Sequence, residues 1–227
     1  MIHVQQVSKV YKNGRGLHSL DVTLHEGRIT ALVGANGAGK STFIQLLTKQ
    51  LFPSSGAIDW QDVNEIRYMP DDLQFPPTLT AQEILQMLGR LKGATQEEQD
   101  AVLEQVGLMD AKKLKIGHFS KGMRQRLNLA QSLLGNGKFF ILDEPTNGLD
   151  PYWIARLKDM LIVEKARGTI IVFSTHLLSL AQELADEVVL IDQGRLLARG
   201  SVQQLLDENN CNHLEQLWLQ FYKERTL

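Results

Sequence analysis

The chain has one cysteine, Cys211, among its 227 residues, so it can form no internal disulfide and no four-thiolate metal centre. A lone thiol of this kind suits a reducing compartment. Charge is nearly balanced, with 24 Lys and Arg against 26 Asp and Glu and a net charge of −2. That leaves no electrostatic case for nucleic acid or for an anionic membrane surface. No apolar run approaches the roughly eighteen residues that a membrane span needs. The opening Met1-Ile2-His3-Val4 lacks a basic flank before an apolar stretch. The expectation is therefore a soluble intracellular chain without a secretory leader. Internal repeats and low-complexity tracts are also missing. What is present is ordinary globular composition, 43% hydrophobic and 22% charged, long enough to bury a substantial core.

Against that background one stretch stands out: Gly34-Ala35-Asn36-Gly37-Ala38-Gly39-Lys40-Ser41-Thr42. It follows the apolar run Ile29-Thr30-Ala31-Leu32-Val33 and leads into Phe43-Ile44-Gln45-Leu46-Leu47, which reads as a helix. Strand, glycine-rich turn and helix together form the context of a phosphate-binding loop. Glycines let backbone N–H groups converge into an anion nest that side chains would block. The helix start adds its positive end to the same spot. Lys40 would reach the β- and γ-phosphates, and the Ser41 hydroxyl would complete the shell of a phosphate-bound Mg²⁺.

The rest of the chain divides by periodicity. Short strands are expected over residues 2–7, 17–24, 57–60 and 65–69. Tyr11, between the first two, reads as a half-buried surface aromatic or as a platform under an adenine ring. From about 72 to 137 the pattern turns helical. Thr80-Ala81-Gln82-Glu83 and Thr95-Gln96-Glu97-Glu98 are capping boxes. They open helices with Ile84, Leu85, Leu88 and Leu91, then Val102, Leu103 and Val106, at helical spacing. A third helix starts at Ser120, first of all a helix cap and also a second anion site helped by Lys121, Arg124 and Arg126.

The buried runs Phe139-Phe140-Ile141-Leu142 and Thr169-Ile170-Ile171-Val172-Phe173-Ser174 return to strand. Asp150-Pro151 caps a helix between them. A hairpin follows through Gln193-Gly194. The tail places Leu214, Leu217, Trp218 and Phe221 of the stretch ending at Tyr222 on one face, for packing on the core or for a partner contact. The expected architecture is α/β. A P-loop core (about 1–71 and 138–200), similar to RecA-like folds and with short antiparallel strands, carries an inserted helical lobe (about 72–137) and a helical tail (about 201–227).

Asp143 and Glu144 end the Phe139–Leu142 strand, at the edge where open α/β sheets bind ligands. Asp143 would hold Mg²⁺ through its water shell, and Glu144 would orient and deprotonate a water. His176 sits just past another core strand, where a γ-phosphate contact would be.

These stretches together resemble the nucleotide-binding subunit of an ATP-binding-cassette (ABC) transporter. Residues 34–42 match the Walker A motif, and 139–144 match Walker B with its glutamate. Asn147-Gly148-Leu149-Asp150 is similar to the D-loop, His176 to the switch histidine, and Phe119-Ser120-Lys121-Gly122-Met123-Arg124-Gln125-Arg126 to the signature stretch. Tyr11 falls at the adenine-stacking position. Lys121 and Met123 replace the more usual Gly and Gln, and Pro70-Asp71 stands where a glutamine is common. An acid there is similar to export-type cassettes, including drug-export and copper-related members, and Asp71 would meet the metal's water shell.

The resemblance implies ATP and Mg²⁺ as cofactors, and a second cassette bound head to tail, expected as an identical copy with a different cassette left open. Ser120, Gly122 and Asp150 would serve the partner's nucleotide. It also implies a separate transmembrane permease and a place on the inner face of the cell membrane, touched only through that permease. The alternative is a soluble mechanical cassette acting on ribosomes or DNA, disfavoured by the short lobe and the lack of basic excess.

Overall fold

The computed structural model describes residues 1–61 and 63–224 and, for Tyr222 and Glu224, the backbone alone. The Tyr222 side chain and residues 225–227 of the expected tail lie outside the described residues. In chain order the strands are β1 (Ile2–Val10), β2 (Gly16–Leu24), β3 (Ile29–Val33), β4 (Ser55–Asp59), β5 (Ile66–Met69), β6 (Phe139–Leu142), β7 (Ile170–Thr175), β8 (Glu187–Asp192) and β9 (Arg195–Gly200). The helices are α1 (Lys40–Leu47), α2 (Ala81–Lys92), α3 (Gln96–Gln105), α4 (Lys121–Leu133), α5 (Pro151–Ala166), α6 (Leu178–Leu184), α7 (Val202–Glu208) and α8 (Leu214–Glu224).

The strands form two sheets. One is antiparallel, in the order β2-β1-β4; the other runs β5-β6-β7-β3-β8-β9, parallel except for β9. The continuous apolar runs follow from this larger sheet being covered on both faces. Side chains alternate, so Ala31, Val33, Phe140, Leu142, Ile171, Phe173, Val188 and Leu190 enter one core cluster with the helices of the lobe. Leu32, Phe139, Ile141, Ile170, Val172, Val189 and Ile191 enter the other with β1, β2 and α1. The phosphate-loop helix is thus buried between the two sheets.

Both capping boxes form as expected: Thr80 Oγ1 accepts from Glu83 N (3.2 Å) and Glu83 accepts back from Thr80 N (2.8 Å). Thr95 and Glu98 repeat the pattern. The face of α2 differs from the expectation. Its buried stripe centres on Ala81, Leu85 and Gly89 and continues to Lys92, whose ammonium donates to Gln131 O at 2.7 Å. Leu91, expected in the apolar face, lies beyond the edge of that stripe and is 81% exposed.

The short helix α6 is not marked by any sequence signal used above. In the tail, Leu214 and Leu217 are fully buried, with Trp218 and Phe221 packed against the same core. Of the two readings of the tail, its apolar face takes the core. Among the described residues no helix is long and apolar enough to cross a membrane.

Candidate functional site

The loop after β3 is held by close approaches. A Cβ on Gly34 would lie 2.3 Å from Ile191 O, so only glycine lets the loop pass over the end of β8. Gly39 has φ +110°, left-handed territory that also favours glycine. Ala38 O accepts from Gly194 N at 2.8 Å, so the tight turn of the β8–β9 hairpin props the loop from behind. Sequence reading finds that hairpin but gives no sign that it supports the loop.

In front of the loop lies a cavity of about 350 Å³ lined by Tyr11, Asn13, Arg15, Gly16, Ala35, Asn36, Gly37, Gly39, Lys40, Ser41, Thr42, Asp71, Asp143 and Glu144. Eleven of the expected site residues therefore meet around one space, Tyr11 included. Asn13 and Arg15 are additions that no sequence motif marks. Gly34 and Ala38 sit behind the lining, with Ala38 buried.

Lys40 is 6% exposed, and its ammonium donates to Gly34 O at 2.7 Å. The same nitrogen lies 3.2 Å from Glu144 Oε1, an ion pair by distance, although that oxygen accepts no well-aligned hydrogen bond. Glu144 Oε2 is 2.9 Å from His176 Nδ1. His176, half exposed, thus reaches the site through Glu144 rather than by lining the cavity. Ser174 Oγ donates to Asp143 Oδ1 at 2.5 Å and accepts from Glu144 N at 2.8 Å.

Burial, chiefly, pushes the Asp143 carboxyl above its ordinary range; Asp71 and Glu144 add to this, while the Ser174 hydrogen bond and Lys40 oppose it. Burial, with the charges of Asp143 and Asp71, raises Tyr68 to about 12. Such crowding of carboxylates invites a cation. Ser41, Asp71 and Asp143 supply hard oxygen donors, the kind Mg²⁺ takes. Among the described residues no group of three or more His, Cys, Asp or Glu could hold a metal unaided. A Mg²⁺ ion here would therefore depend on phosphate oxygens and retained waters for the rest of its shell.

Ser120, Gly122 and Asp150 do not line this cavity. Ser120 caps α4, accepting from Met123 N at 3.1 Å, and Asp150 caps α5, accepting from Trp153 N at 3.0 Å. Gly122 lies against Gly148 O. Asp71 is tied to the same region, accepting from Asn147 Nδ2 at 2.7 Å.

Comparison with known proteins agrees with this geometry. A family described as ABC transporter matches residues 17–147, more than half of the chain. The ABC transporter ATP-binding protein YxlF of Bacillus subtilis is 37% identical over 221 residues, covering 93% of this chain and 75% of that protein. The lantibiotic transport ATP-binding protein SrtF of Streptococcus pyogenes is 34% identical over 205 residues, 87% of this chain and 89% of that one. A solved ATP binding subunit of an ABC transporter superposes with a TM-score of 0.88 at 28% identity, over 97% of this chain and 98% of the other. Loop, carboxylates, fold and relatives lead to one statement: this chain belongs to the ABC transporter family, as an ATP-binding cassette subunit.

Proposed function

We propose that the chain hydrolyses ATP to drive a membrane exporter, working as one of two identical cassettes beneath a separate transmembrane permease. The observation that carries this reading is the Glu144 carboxylate at the edge of the cavity, held between Lys40 and His176. Arriving phosphates draw the Lys40 ammonium away from Glu144 to the β- and γ-oxygens. Backbone N–H groups of residues 34–42 and the start of α1 cradle the same anion, and Tyr11 stacks on the adenine. Freed from Lys40, Glu144 takes the proton from the attacking water, and His176 keeps the carboxylate aimed. Ser41, Asp143 and Asp71 would hold a Mg²⁺ ion, which when bound would neutralise charge on the transferring phosphoryl group.

Ser120, Gly122 and Asp150 lie off the cavity of their own chain, so a second copy would present them to it, head to tail. The helical lobe and the loop from Asp71 to Pro77 would pass the closure to the permease. Membrane contact would then be indirect, at the inner face of the cell membrane. Export is supported by Asp71 in place of glutamine and by the similarity to a lantibiotic transport protein.

Purifying the tagged protein from detergent-solubilised membranes tests the assignment. A polytopic membrane protein in stoichiometric amount is expected; ribosomal or DNA-repair proteins without one would overturn it. Lys40→Ala should weaken binding of Mg-ATP roughly 10- to 100-fold, the worth of a hydrogen bond between charged groups. Unchanged affinity in a titration with a fluorescent ATP analogue would refute the role given to Lys40.

A further inference from the structure

We infer that Ser174 is a positioning residue for hydrolysis, one buried hydroxyl setting both the Asp143 carboxylate and the Glu144 backbone. The inference rests on Glu144 acting as the general base. Ser174 carries no motif; in the sequence it is the sixth residue of an apolar strand run. The fold gives it a role. Strands β6 and β7 pair in parallel with Leu142 opposite Phe173, so one step further Ser174 lies beside Asp143.

Its side chain has no solvent exposure, and both of its hydrogen bonds reach the site. The backbone N–H of Glu144 can only donate, so Ser174 Oγ accepts there and its single proton goes to Asp143 Oδ1. That leaves Asp143 Oδ2 for the metal's water shell. Glu144 has φ +46°, a left-handed conformation that a non-glycine residue holds only when its surroundings fix it. The bond from its N–H to Ser174 is such a fixture. Loss of the hydroxyl would leave that buried N–H without an acceptor and let both carboxylates turn.

The test compares Ser174→Ala, Ser174→Val and Ser174→Thr in the full-length protein. Val and Thr are alike in shape and differ by the hydroxyl, so packing effects in this tight strand cancel between them. Ala and Val should lower kcat about 10- to 100-fold, with KM for Mg-ATP within about twofold and Thr close to the unmodified protein. The Mg²⁺ concentration that half-saturates binding of a fluorescent ATP analogue should rise roughly tenfold in Ala and Val, as expected when a metal ligand loses its supporting partner. That second measurement needs no turnover. If the unmodified protein does not hydrolyse ATP, the base assignment fails while the Mg²⁺ shift still decides the role of Ser174. Full activity in Ser174→Ala, an equal loss in Val and Thr, or an unmoved Mg²⁺ midpoint would overturn the inference.

Discussion

A Glu144→Gln variant is expected to bind Mg-ATP and to turn it over roughly 10²–10⁴ times more slowly, the usual worth of a general base. The amide keeps the shape of the carboxylate and can still meet His176, so the loss isolates basicity. Affinity should hold or rise. Lys40 lies 3.2 Å from Glu144 Oε1 in this structure, and an uncharged side chain there competes less with phosphate for the ammonium. Single-turnover hydrolysis alongside an ATP-binding titration separates the two effects. Turnover at the unmodified rate would remove Glu144 from its role. A parallel collapse of affinity would mean that the side chain binds rather than activates.

The largest effect on stability is expected away from the site. Arg67 on β5 is 5% exposed, donating through Nε to Gly137 O at 2.7 Å and through its guanidinium to Glu164 on α5, itself 6% exposed. Thr169 and Arg167 complete the cluster. Arg67→Met fills similar space but leaves a buried carboxylate with only the largely exposed Arg167 and a hydroxyl. Removing one partner of a buried pair costs about 3–5 kcal/mol. At about 2–4 °C per kcal/mol for a chain of this size, Tm should fall by roughly 6–20 °C.

The pH dependence of this cost has a definite sign. Burial alone pushes the Glu164 carboxyl up, but the hydrogen bond and charge of Arg67, with Arg167, outweigh it and hold the group below its ordinary value. A carboxyl depressed in the folded state adds stability above its unfolded pKa and loses it as pH falls through the folded value. The gap between the variant and the unmodified protein should therefore be full near neutrality and shrink in acid below the ordinary value of 4.5. A gap that does not change down to acid pH would show that lost packing, not the ion pair, sets the cost.

That cluster also marks where sequence reading stops. Residues 34–42 were legible because their spacing is local: strand, glycines, lysine and helix lie within one stretch. The buried strands were legible because a sheet covered on both faces imprints continuous apolar runs. Arg67 stands between Ile66 and Tyr68 in what reads as an alternating strand, and its partner lies 97 residues away. Nothing local distinguishes it from a surface arginine. Asp71 and Asn147 meet across 76 residues, and Ser174 meets Asp143 across 31. Contacts of that range depend on strand order, which composition and period do not encode. The exposed Leu91 shows the complementary failure. Period alone admits it to the apolar face of α2, but the neighbouring helices decide where that face is centred.

In the proposed function, one nucleotide site would be built from two copies of this chain. Light scattering on the Glu144→Gln variant, with and without Mg-ATP, tests it most directly, because slowed hydrolysis preserves the closed pair. The prediction is a mass of one chain without nucleotide and of two with it, the pair failing to form when Ser120 is replaced by a bulky acidic residue. A single-chain mass at saturating Mg-ATP would contradict the shared site.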